Sequence, residues 1–177
     1  FREETLQARN SALRKASIEI DLLVDELRTQ RPAETLTLSR ELDQKFKILL
    51  SPGQAEKDFT DWSQQLSSVN GQIAVLFADL DNFKALNTKY SEPRIDQSLL
   101  PDAMHLVEGL IRMRGGAYKY GGDEYVLILP NHDAIEGAGF AEKVRKAFEQ
   151  FEFRVDTDLV HITVSLGIAV WPVHSTT

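Results

Sequence analysis

The sequence predicts an α+β domain: an antiparallel-containing sheet with helices on one face, preceded by a helical region. Three observations carry this. From Gln72 onward, short β-branched and aromatic runs alternate with amphipathic stretches in the order β-α-α-β-β-α-β. Two of those runs, Ala117–Tyr120 and Tyr125–Leu129, are joined by Gly121-Gly122-Asp123-Glu124, a hairpin signal. Before Gln72 the apolar spacing is helical throughout.

Residues 1 to about 30 lack Gly and Pro and read as one helix. Leu6, Leu13, Ile20 and Leu27 recur every seven residues, with Ala16 and Leu23 between them and Arg9 interrupting the seam. Two readings stand: a parallel coiled coil that dimerises the chain, or an amphipathic helix in a local bundle. Arg31-Pro32 stops this helix. Glu34–Leu50 reads as a second helix with Leu38, Leu42, Phe46 and Leu49 on one face. Ser51 is a candidate N-cap and Pro52 a first helical residue, opening a third helix that carries Ala55, Phe59, Trp62, Leu66 and Val69. The boundary between a helical region (1–50) and the mixed domain (51–177) is placed at Ser51.

Within the mixed domain, Ile73–Asp79 is a strand, Asn82–Tyr90 a short helix and Leu100–Met113 a helix bearing Leu106, Val107, Leu110 and Ile111. The Gly-Gly pair is read as a tight turn using positive φ, with Asp123 and Glu124 displayed at its exposed tip. Asp133–Phe151 is a helix with Ile135, Phe140, Val144 and Phe148 inward. Val160–Trp171 is the final strand, with strand character reaching back toward Phe153.

Composition narrows the function. The chain has 177 residues, enough for one ordinary domain plus an appendage. A net charge of −7 argues against nonspecific DNA or RNA binding, so no nucleic-acid partner is expected. There is no cysteine, which excludes disulfides, thiolate metal sites and cysteine nucleophiles and fits a cytoplasmic location. The longest apolar run, Ile73–Ala78, is too short to span a bilayer. The chain opens on Phe1 and is read as a fragment; a sensor or membrane segment would lie outside it.

The acidic motifs carry the chemistry. Val75, Phe77 and Asp79 share a strand face, so Asp79 closes an apolar stripe. Asp79 is read as a metal ligand, with a helix cap as the alternative, whereas Asp81 is read as the cap. Bringing Asp79 beside Asp123 would make an oxygen-rich site for Mg²⁺ and a nucleotide phosphate. His105, His132, His161 and His174 lack ligand-like spacing, and Ser165 has no acid–base pattern around it.

Asp79-Leu80-Asp81-Asn82-Phe83-Lys84, Asn87, Asp96, Lys119-Tyr120-Gly121-Gly122-Asp123-Glu124-Tyr125 and the tail Ile162–Ala169 together resemble the GGDEF family, the diguanylate cyclases. The resemblance covers about residues 72–172. It implies a ferredoxin-like, palm-type cyclase fold that joins two GTP molecules into cyclic di-GMP, each protomer of a homodimer holding one GTP. It further implies that Asp79, Asp123 and the Leu80 carbonyl bind Mg²⁺ or Mn²⁺, and that Asp123 is the candidate base for the ribose 3′-hydroxyl. The backbone at Asn82 and Phe83, with the Lys84 side chain, would hold phosphates. Asn87 and Asp96 would read the guanine edge, with Leu99 packed beside the base.

Departures from the family pattern are equally informative. Ser91-Glu92 and Ile95-Asp96 stand where the family has Gly-His and Gly-Asp pairs. Ile48-Leu49-Leu50-Ser51-Pro52-Gly53 stands where a Leu-Thr-Gly-Leu stretch is usual. The Arg-x-x-Asp product-inhibition motif reads Arg112-Met113-Arg114-Gly115, so Arg112 lacks its acidic partner and no inhibitory site is expected. The sequence ends before the family's C-terminal Lys- and Arg-bearing segment, and Tyr125 replaces the usual Phe. Two alternatives to a diguanylate cyclase stay open: a degenerate domain binding GTP or a protein as a regulatory module, and a related cyclase making another cyclic nucleotide.

Overall fold

The computed structural model describes residues 40–174. The heptad seam, the start of the second expected helix and the last three residues lie outside the described residues. The described residues belong to one compact unit that opens at Arg40.

The described part of the second expected helix, residues 40–50, is not helical. It is a reversal in which Leu42 bridges Leu50 and Leu50 bridges Tyr118. Asp43 closes the turn, its carboxylate accepting from the Phe46 amide at 2.6 Å and its carbonyl from the Lys47 amide at 3.1 Å. Lys47 takes a φ of 57° there. Aspartate bonds its own neighbourhood readily, which competes with helix. Phe46 and Leu49 face the core while Leu42 stays 43% exposed, so the apolar spacing belongs to a folded-over turn.

Helix α1 (Pro52–Ser67) starts on Ser51, whose hydroxyl accepts from the Gln54 amide at 3.1 Å, with proline in the first turn. Val69 lies beyond the helix end and is exposed rather than inward. The sequence then gives β1 (Ile73–Leu80), α2 (Phe83–Tyr90), α3 (Glu92–Gln97), α4 (Leu99–Ile111), β2 (Gly116–Lys119) and β3 (Glu124–Pro130). It ends with α5 (Ala134–Gln150), β4 (Phe153–Val155), β5 (Asp158–Val160) and β6 (Val164–Trp171). Asp133 and Glu136 form a reciprocal capping box at the start of α5. Ile135, in its first turn, points to solvent at 82% exposure, against the inward expectation. The expected single terminal strand is divided: β4 and β5 form their own hairpin, turning at Asp156 with a φ of 53°.

The main sheet has four strands in the order β2-β3-β1-β6, all antiparallel. Central β1 alternates faces. Ala74, Leu76, Ala78 and Leu80 are at most 1% exposed and join the main core with α4 and α5. Burying a leucine such as Leu76 or Leu127 contributes about 1.5–3 kcal/mol. On the opposite face, Ile73 and Val75 pack with Ala55, Phe59 and Trp62 of α1. Helix α1 covers one end of that face; Phe77, at the other end, is 41% exposed and meets the Tyr120 ring edge-on at 5.8 Å. No helix among the described residues is long and apolar enough to cross a membrane.

Candidate active site

Sheet register brings the two acidic motifs together. Asp79 at the end of β1 lies directly opposite Glu124 at the start of β3. The Leu80 amide donates to the Asp123 carbonyl at 3.1 Å. The Asp79 carboxyl is raised above the usual range, first by burial, then by the charges of Asp123 and Asp81. This like-charge grouping is one that a cation would relieve. Among the described residues no three His, Cys, Asp or Glu side chains converge as a ready cage. Magnesium commonly takes one or two carboxylates and completes its shell from phosphates and water. Asp79, Asp123 and the Leu80 carbonyl fit such a partial donor set.

Asp81 does not cap the following helix. Its carboxylate accepts from the Ser165 hydroxyl at 2.6 Å and the Thr163 hydroxyl at 2.5 Å, tying the end of β1 to the start of β6. Asn82 precedes α2 in a left-handed conformation (φ 58°) without a side-chain cap bond. Asparagine tolerates this region better than most residues. The first amides of α2, from Phe83 and Lys84, therefore have no capping side chain and suit an anion. Lys84 is exposed and makes no ion pair among the described residues.

A cleft of about 490 Å³ runs from this turn to the Gly-Gly loop, lined by Phe83, Asn87, Asp96, Leu100, Lys119 and Gly121 among others. Asn87 Oδ1 is buried with no hydrogen-bond partner among the described residues. An orphaned buried acceptor is costly unless a ligand donor reaches it. Asp96 sits on α3, a six-residue helix held by the fully buried Ile95. Its carboxylate accepts from Lys45 Nζ at 2.6 Å. Leu99 is fully buried in the core, whereas its neighbour Leu100 lines the cleft.

The sequence profile of the family described as "Diguanylate cyclase, GGDEF domain" matches residues 54–177. The chain belongs to the GGDEF family. It is 32% identical over 152 residues to diguanylate cyclase VdcA of Vibrio cholerae, a match covering 80% of this chain and 44% of that protein. It is 33% identical over 109 residues to the bifunctional diguanylate cyclase/cyclic di-GMP phosphodiesterase MucR of Pseudomonas aeruginosa, covering 62% of this chain and 16% of that protein. The chain thus spans less than half the length of either relative. The fold is also that of the FimX GGDEF domain from Pseudomonas aeruginosa, with a TM-score of 0.70 at 14% identity over 77% of this chain and 83% of that one.

The GGDEF loop differs from a simple glycine hairpin. No glycine among the described residues has a positive φ, so the expected turn geometry is not used. The Tyr120 amide instead donates to the Glu124 carbonyl at 3.0 Å across a longer loop, and Asp123 and Glu124 are half-buried. Lys119 organises this loop, donating to the Gly122 carbonyl at 2.6 Å and also to that of Gly121. Sequence reading assigned Lys119 no role; the available signal was a cation inside an apolar strand just before the glycines. Burial pushes its ammonium down to about 8, with Asp43 and Asp123 opposing the shift. Its Nζ also lies 4.7 Å from the centre of the Tyr125 ring.

Tyr125, in the position of the usual Phe, is fully buried with its hydroxyl unpartnered among the described residues. Burial pushes this phenol upward and keeps it neutral. Tyr125→Phe is expected to stabilise the fold by about 1 kcal/mol, because an unsatisfied polar atom leaves the core. Urea unfolding of the two proteins checks this; a lower midpoint in the variant would show that the hydroxyl has a stabilising partner.

Proposed function

We propose that this domain is a metal-dependent diguanylate cyclase that condenses two GTP molecules into cyclic di-GMP in the cytoplasm, acting as a homodimer with one GTP on each protomer. The observation that carries the reading is the register of β1 and β3, with Asp79 opposite Glu124 and the Leu80 amide bonded to Asp123. Asp79, Asp123 and the Leu80 carbonyl are the residues that would hold Mg²⁺ or Mn²⁺. A bound ion would neutralise triphosphate charge and make the ribose 3′-hydroxyl more acidic.

The chain's own groups supply the rest. Amides at Asn82 and Phe83, with the Lys84 ammonium, receive phosphate oxygens. The orphaned Asn87 Oδ1 accepts from the base, and Asp96 accepts further base donors. Asp123 takes the proton of the 3′-hydroxyl as that oxygen attacks the α-phosphate of the other nucleotide and pyrophosphate leaves. Lys119 holds the carbonyls of Gly121 and Gly122 and so positions the loop that carries Asp123. Two such transfers close the ring. The N-terminal heptad region, outside the described residues, would align the protomers.

Incubation with GTP and Mg²⁺, followed by separation of the products, tests the reading. Cyclic di-GMP that disappears on chelation is the expected product. Binding of GTP without product would instead support a regulatory module, and a product built from ATP would support another cyclase.

A further inference from the structure

We propose that Lys45 is a specificity-determining residue at the base end of the cleft, competing with a guanine's paired donors for the Asp96 carboxylate. The proposal rests on the reading of this cleft as a guanine site. Nothing in the acidic motifs points to Lys45; it comes from the 40–50 reversal that forms one cleft wall.

The observations are geometric. Lys45 Nζ lies 2.6 Å from Asp96 Oδ2, and the two side chains are 55% and 20% exposed. The ammonium is 5.1 Å from the centre of the neighbouring Phe46 ring. Asp43, Phe46 and Glu92 line the same cleft as Lys45 and Asp96. The wall carrying Lys45 is pinned at both ends. Before it, Arg40 pairs with Asp58, which also accepts from the Tyr118 hydroxyl at 2.7 Å. After it, Leu50 bonds across to Ala117 and Lys119.

The chemistry follows from donor counting. Guanine presents N1–H and its 2-amino group side by side, and a carboxylate can accept both with its two oxygens. Lys45 already engages one of those oxygens. The ammonium is more than half exposed and open to solvent, so a base can displace it from the half-buried carboxylate, at a cost in affinity. Hypoxanthine offers only N1–H, which the remaining oxygen can accept while Lys45 stays. Adenine has no donor at N1 and is indifferent to this competition. Lys45 therefore narrows the advantage of guanine over hypoxanthine.

The test is equilibrium binding of 3′-deoxy-GTP, 3′-deoxy-ITP and 3′-deoxy-ATP with Mg²⁺, since these triphosphates lack the nucleophile and cannot condense. Lys45→Met is expected to bind the guanine nucleotide about three- to tenfold more tightly than wild type. The inosine nucleotide should gain less and the adenine nucleotide should not change. Lys45→Arg, which keeps the charge, should stay within about twofold of wild type. Equal gains for all three nucleotides, a loss for all three, or no change would overturn the proposal. Guanine-selective wild type with an unaltered Lys45→Met overturns the role of Lys45 alone. Absence of guanine selectivity in both proteins overturns the cleft reading and this proposal together.

Discussion

Asp123→Asn is expected to lower turnover of GTP to cyclic di-GMP by roughly a thousandfold. If Asp123 holds the metal and takes the 3′-hydroxyl proton as proposed, the amide removes both a negative charge and a proton acceptor. Asp79→Asn should lower turnover by a similar factor, through the metal alone. The two variants separate in their dependence on metal concentration. Asp79→Asn should require far more Mg²⁺, whereas excess Mg²⁺ should not rescue Asp123→Asn. Initial rates across a Mg²⁺ titration provide the check; wild-type rates in either variant would remove that carboxylate from the site.

The same substitution at Asp79 should make the metal-free protein more stable. In the fold this carboxyl is raised by burial and by the charges of Asp123 and Asp81. For an acid whose folded value is raised, the unfolded chain loses its proton first as pH rises. Stability is then complete below the ordinary Asp range and falls as pH climbs through the folded value. Asn cannot ionise and avoids this loss. The variant's melting temperature should therefore exceed that of wild type at neutral pH, and the difference should close below about pH 4. Chelated samples melted across that range test it. A neutral-pH melting temperature at or below wild type would show that Asp79 is not under like-charge strain.

Gly115→Asp should fail to build the inhibitory motif and should instead damage the fold. The substitution would restore Arg-x-x-Asp to the sequence, beginning at Arg112. However, a Cβ at Gly115 would lie 1.9 Å from the Ile128 carbonyl oxygen and 2.9 Å from its carbon. These are backbone atoms of β3, the pairing partner of β2, so they cannot rotate away. Relief requires the Gly116–Ile128 end of the hairpin to separate, at a cost of about 3 kcal/mol or more. A large drop in the urea midpoint is expected, with no new inhibition by cyclic di-GMP. Gly109→Ala is the control, since a Cβ there meets nothing within 4 Å. A Gly115→Asp protein as stable as wild type would show that the strand edge yields. The missing acid of this motif is therefore tied to close backbone packing at that position.

Local signals made much of the fold legible. The apolar run Ile73–Ala78, rich in β-branched and aromatic residues and following Asn70-Gly71, identifies the central strand. Ser51-Pro52 marks the start of α1 because a hydroxyl cap and a residue without an amide hydrogen both suit that position. Two apolar runs around a glycine-rich loop identify the β2–β3 hairpin, although the glycines do not use positive φ. Other expectations failed where local spacing had a non-local cause. Leu42, Phe46 and Leu49 have helical spacing, yet they belong to a turn laid over the core. Helix α3, which carries Asp96, is too short to show a period.

The sequence by itself determined the α1 helix, the four main-sheet strands, the α2, α4 and α5 helices, the family and the acidic motifs, because each is encoded in neighbouring residues. Tertiary structure alone decided that Leu100 rather than Leu99 lines the cleft, that Lys119 holds the loop, and that Lys45 reaches Asp96. Those contacts join segments far apart along the chain. Their geometry depends on how a turn and a short helix settle on the shared core, and no local pattern of residues records it.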